Sequence, residues 1–118
     1  MRSRDFEQLV EQALAELPLG FRRRLRNVLM VVEDEPARPG LLGLYEGRPL
    51  TQRSFFTPVS MPDRITIYQG PHERAARNPN ELKRMVAETV WHEIGHYFGM
   101  DERQAQRAER RRAARRRL

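Results

Sequence analysis

The chain reads as an α+β fold, ordered helix, three or four strands, long helix, terminal helix. Three observations predict it. Apolar residues recur at helical spacing near the start. Short β-branched or alternating runs, punctuated by Pro and Gly, fill the middle. A strongly capped helical stretch then begins at Asn78.

Residues 5–17 form an amphipathic helix, with Phe6, Leu9, Val10, Ala13, Leu14 and Leu17 on one side and Glu7, Glu11 and Glu16 outside it. Pro18 and Gly20 end it, and residues 21–26 form a short helical turn. Residues 28–32 (Val-Leu-Met-Val-Val) are continuous and β-branched, the pattern of a strand buried on both faces. Residues 41–45 make a second strand and 54–56 a short return strand. Residues 64–68 (Arg-Ile-Thr-Ile-Tyr) alternate, as a half-buried strand does, and Gly70-Pro71 stops them. Asn78, Pro79 and Glu81 fit the N-cap, N1 and N3 positions of a helix running to about Phe98. Its apolar side carries Leu82, Val86, Ala87, Val90, Trp91, Ile94 and Phe98. Asp101 is placed to cap a last helix running into an Arg-rich tail. We divide the chain into a domain at 1–102 and a helical tail at 103–118.

Composition narrows the chemistry. The 118 residues contain no Cys, so a disulfide framework and a thiolate metal site are both excluded. Any transition metal must be held by His and carboxylate. The opening residues lack the apolar core of a signal peptide, and no stretch approaches the ~20 apolar residues that span a bilayer. The expectation is a cytoplasmic protein. The net charge is +6, yet 103–118 alone hold eight Arg and one acid, Glu109. The excess is therefore terminal and the body is near neutral.

Within the capped helix lies His92-Glu93-Ile94-Gly95-His96-Tyr97-Phe98-Gly99-Met100-Asp101-Glu102, the pattern HExxHxxGxxE. Histidines four residues apart sit one helical turn apart, offset by about 40°. His92 and His96 can reach one zinc ion from the same face. At 100° per residue they fall beside the apolar side of the helix, which places them at a cleft edge. Glu93 projects to the side of the pair, where it can act as general base on a water at the metal. Gly99 can end the helix in a left-handed turn that brings the chain back. Glu102 or Asp101 then supplies the third ligand. Bare HExxH is short enough to arise by chance on a solvated helix. The capped helix, the glycine in register and the following carboxylates weigh against that.

These residues resemble the small bacterial zincin-like metallopeptidases, a minimal zincin fold. HEIGHYFGMDE carries the resemblance, together with Leu-Gly-Leu-Tyr-Glu-Gly at 42–47, Pro-Asp-Arg-Ile-Thr-Ile-Tyr at 62–68 and Thr-Val-Trp-His-Glu at 89–93. It spans residues 5–102. It implies a small mixed sheet of three to four strands packed on the HExxH helix, and zinc-dependent hydrolysis of a peptide or protein substrate. His92 and His96 match the metal ligands, Glu93 the general base and Gly99 the turn glycine. The third-ligand slot, usually Asp, falls on Glu102, a longer side chain that keeps Asp101 in contention. Met100 stands too early for the methionine turn of larger relatives, and Glu109 sits among arginines.

Tyr45, Tyr68 and His72 are candidate donors to a developing oxyanion. The plainer reading makes the tyrosines sheet-packing residues and His72 a solvated loop histidine. The strand at 64–68 could offer its edge to an extended peptide. The competing function is a metal-binding scaffold without significant protease activity. It would bind nucleic acid or another polyanion through the arginines from Arg107 to Arg117. No aromatic is interleaved there, which argues against base stacking.

Overall fold

The computed structural model describes residues 1–47 and 62–99. Their order is α1 (Ser3–Ala15), α2 (Leu19–Arg24), β1 (Val28–Glu33), β2 (Gly43–Glu46), β3 (Asp63–Tyr68), α3 (Gln69–Ala75) and α4 (Pro79–Tyr97). The expected return strand at 54–56, the carboxylates Asp101 and Glu102, the terminal helix and the Arg-rich tail lie outside the described residues. Among the described residues, no helix is long and apolar enough to cross a membrane.

The sheet is mixed, in the order β1-β3-β2. β1 runs parallel to β3, with Val28 opposite Asp63 and Glu33 opposite Tyr68. β2 runs antiparallel to β3, with Gly43 opposite Ile67 and Glu46 opposite Arg64. Two expectations are corrected here. The strand at 64–68 is the centre of the sheet, paired on both flanks, and cannot offer an edge to a peptide. Its alternation does not mark a wet face, because Thr66 is as buried as Ile65 and Ile67. The continuous apolar run at 28–32 is an edge among the described strands, and Leu29 is half-exposed. Its β-branched character suits strand pairing rather than burial on both faces.

The core lies where α1 and α4 meet the sheet. Phe6, Val10, Ala13 and Leu17, spaced by three or four residues, face Leu82, Val86, Val90, Trp91 and Ile94 of α4, with Ile65 and Ile67 beneath. α4 begins as its sequence demands. The Asn78 side chain accepts a hydrogen bond from the Glu81 amide at 2.8 Å, and Pro79 occupies the first turn, where its missing N–H matters least. Such a cap stabilises a helix by about 1 kcal/mol.

Gly70-Pro71 does not end in a loop. It sits in the first turn of α3, a position that tolerates proline. His72 is consequently fully buried, not solvated. Its Nδ1 lies 2.6 Å from the Tyr68 carbonyl and its Nε2 lies 2.8 Å from Thr89 Oγ1. A carbonyl only accepts, so Nδ1 donates to Tyr68, while the Thr89 hydroxyl beside Nε2 also lies 3.0 Å from the Met85 carbonyl, to which it donates. The Phe6 ring packs against the imidazole at 5.7 Å.

Burial holds the His72 imidazole below the usual histidine range, opposed by its bond to Tyr68. The unfolded chain then binds a proton that the folded chain refuses. Stability is fully present above the ordinary histidine pKa of about 6.5 and is lost as pH falls below it towards the folded value. We expect the melting temperature of chelator-treated protein to fall between pH 7 and pH 5, and to fall less in His72→Gln, which titrates nothing there. Equal slopes in the two proteins would assign the acid sensitivity to other groups.

Candidate metal centre

Three side chains of α4 fix how the helix is rolled against the domain. Thr89 bonds His72 of α3. Trp91 donates from Nε1 to the Ala13 carbonyl at 2.9 Å, tying α4 to α1. The fully buried Tyr97 donates to the Arg26 carbonyl at 2.8 Å, tying the C-terminal turn to the entry of β1. These anchors bracket His92, Glu93 and His96. Their roll is therefore set by three separate elements rather than by apolar packing alone.

With that roll, His92 and His96 are each partly exposed and point the same way. Their Nε2 atoms are 3.3 Å apart and their rings cross edge to face at 4.9 Å. Two nitrogens each about 2.05 Å from a tetrahedral ion stand roughly 3.3 Å apart. The pair thus has the separation that one zinc ion requires, and neutral imidazole suits that ion. Among the described residues, no group of three or more His, Asp or Glu that could hold a metal is assembled. Both third-ligand candidates, Asp101 and Glu102, lie outside them.

Glu93 points into the domain's cleft and is 8% exposed. It lines, with His92, a cleft of about 320 Å³ between α4 and residues 40–43. The backbone of β2 approaches α4 closely there, and glycine permits it. A Cβ on Gly43 would stand 2.8 Å from Thr89 Cγ2 and 3.1 Å from Glu93 Cγ. Thr89 cannot swing aside without giving up its bond to His72. Gly99 follows α4 with φ 82°, a left-handed conformation that glycine adopts without strain, and its amide donates to the His96 carbonyl at 2.9 Å.

Tyr45 donates its phenol to Asp63 Oδ2 at 2.7 Å and packs against Tyr97, so it serves the sheet, not the cleft. His72 acts through Thr89, from behind the helix. Neither stands as an oxyanion donor in this arrangement.

Sequence reasoning passes over Gly43, Thr89 and the tyrosine anchor Tyr97. Only Gly43 carries a signal, as a glycine interrupting an apolar strand, the mark of close backbone approach. We expect Gly43→Ala to lower stability by about 1–3 kcal/mol through overpacking. Thr89→Ser, which removes the clashing methyl but keeps the hydroxyl, should recover part of that loss. Thermal melts of the two single variants and the double variant check this, and strict additivity would show that the methyl is not the obstacle.

A family model described as zincin-like metallopeptidase matches residues 25–112. No curated protein matches the chain. Among solved structures, a conserved hypothetical protein from Thermus thermophilus is 30% identical with a TM-score of 0.57, the match covering 83% of this chain and 94% of that one.

Proposed function

The chain belongs to the zincin-like metallopeptidase family, and from that premise we propose that it is a zinc-dependent peptidase. The observation that carries the reading is the 3.3 Å separation of the His92 and His96 Nε2 atoms beside a buried carboxylate that opens on a cleft. His92, His96 and either Glu102 or Asp101 would hold the ion. When bound, zinc would acidify a water and polarise the scissile carbonyl.

The remaining work falls to the chain. Glu93 takes the water's proton as its oxygen attacks the carbonyl carbon, then returns that proton to the amine as the C–N bond breaks. The same carboxylate serves as base and then acid, which requires that it neither rotate away nor coordinate permanently. Its seat against Gly43 restricts rotation. The cleft wall at residues 40–43 and the α4 stripe from Met85 to His92 hold the substrate between them. A site built from His and carboxylate without Cys is insensitive to thiol oxidation.

The test is hydrolysis of an unbiased peptide library by protein purified without chelator or affinity metal. Cleavage should vanish on removing the metal and return with about one equivalent of zinc. Zinc uptake without cleavage of any peptide would leave a metal-binding scaffold and remove the peptidase reading.

A further inference from the structure

We propose that Glu88 makes the cleft beside the histidines a subsite for a substrate residue with an aliphatic stem and a cationic head, lysine or arginine. The proposal rests on the peptidase reading above and specifies its substrate.

Met85, Glu88 and His92 share one stripe of α4, at spacings of three and four residues. Glu88 stands one turn before His92, about 6 Å along the helix axis. A side chain lying in the cleft next to the scissile bond would therefore reach it. Apolar side chains line the same space: Leu41 and Leu42 face the helix from across the cleft and Met85 lies one step beyond Glu88, each partly exposed.

The charge in the cleft has one sign. Among the described residues lining it, Glu88 and Glu93 are acidic and none is Lys or Arg. Arg84 does not line the cleft. It approaches Glu88 at 3.8 Å and Glu81 also at 3.8 Å, and is half-exposed. A long, shared, solvated pair of that kind neutralises little. The cleft volume of about 320 Å³ is at the small end for ligand sites, sufficient for one long side chain. A cleft with apolar side chains and a carboxylate in its helix wall matches the bipartite character of lysine and arginine, whose stems bury while their heads stay charged. A wholly apolar occupant would desolvate Glu88 without giving it a partner, and an acidic one would face a like charge.

The test uses alanine–glycine peptides bearing a single guest residue, Lys, Arg, norleucine or Glu, with a fluorescent label. Binding is read by anisotropy on the zinc-loaded full-length Glu93→Gln protein, which holds peptides without turnover. Cleavage of the same peptides is read on the wild type. Lys and Arg peptides should bind about tenfold tighter than norleucine. The ratio should fall to near unity when Glu88→Gln is added, and Glu88→Lys should turn the preference towards Glu. The Arg-rich tail is common to all these proteins, so comparing ratios isolates Glu88. Equal binding of Lys and norleucine peptides, or a preference that survives Glu88→Gln, overturns the subsite even if cleavage is seen. A Glu88-dependent preference without any zinc-dependent cleavage would uphold the subsite and overturn the peptidase reading instead.

Discussion

Replacing His92 or His96 with alanine is expected to abolish stoichiometric zinc binding while leaving the fold in place. Each imidazole supplies one of the two nitrogens held 3.3 Å apart, and a single remaining histidine with one carboxylate is a poor zinc site. We expect affinity to fall by a factor of at least about 100 in each variant. Neither ring belongs to the apolar core, and both are partly exposed, so truncation leaves little cavity. The capping of α4 and its anchors at Thr89, Trp91 and Tyr97 do not pass through the histidines.

The readout can be thermodynamic. A ligand that binds only the folded state stabilises it by about 2.7 kcal/mol at a hundredfold excess over Kd, on the order of 10 °C in melting temperature for a domain of this size. The wild type should show that zinc-dependent rise and both variants should lack it, with metal-free melting temperatures close to wild type. A variant that keeps the wild-type rise and zinc content would move the site elsewhere. The parallel variants Glu102→Ala and Asp101→Ala, scored the same way, identify which carboxylate completes the site.

Helices α1 and α4 and the histidine pair are legible in the sequence because their signals are local. The Asn-Pro-x-Glu start of α4 and the i, i+4 histidines each depend on residues within one or two turns. The roles of the strands are not legible, because position in a sheet is a property of partners distant in the chain. Residues 28–32 are continuously apolar and 64–68 alternate, yet neither pattern says which strand is flanked on both sides. Val28 pairs with Asp63 across a crossover, and nothing near either residue encodes that. The reading of His72 as a solvated residue fails for a related reason. Gly70-Pro71 is a breaker in mid-helix but a tolerated first turn at a helix start, and the local sequence does not decide between the two. The site divides along the same line. Its histidines are read from spacing, whereas its supports Gly43 and Thr89 act across the gap between a strand and a helix far apart in the chain.

Glu93→Gln is expected to keep zinc and lose hydrolysis. The substitution is nearly isosteric, so glutamine fits the seat against Gly43 that the carboxylate occupies. It removes the one property the mechanism demands, the ability to accept a proton and return it. General acid–base catalysis of this kind contributes about 10²- to 10⁴-fold, so kcat should fall by roughly a thousandfold, about 4 kcal/mol of barrier. Glu93 stands beside the histidine pair on α4, and zinc content should match wild type within error. Burial sharpens the interpretation, because a side chain 8% exposed could instead be a structural member of the cleft wall. Three quantities measured on one preparation separate these roles: zinc per chain, melting temperature and turnover of the best library peptide. Intact zinc and melting temperature with lost turnover assign Glu93 to proton transfer. Lost zinc would make it a ligand, a large fall in melting temperature would make it a packing residue, and full turnover would remove it from the reaction.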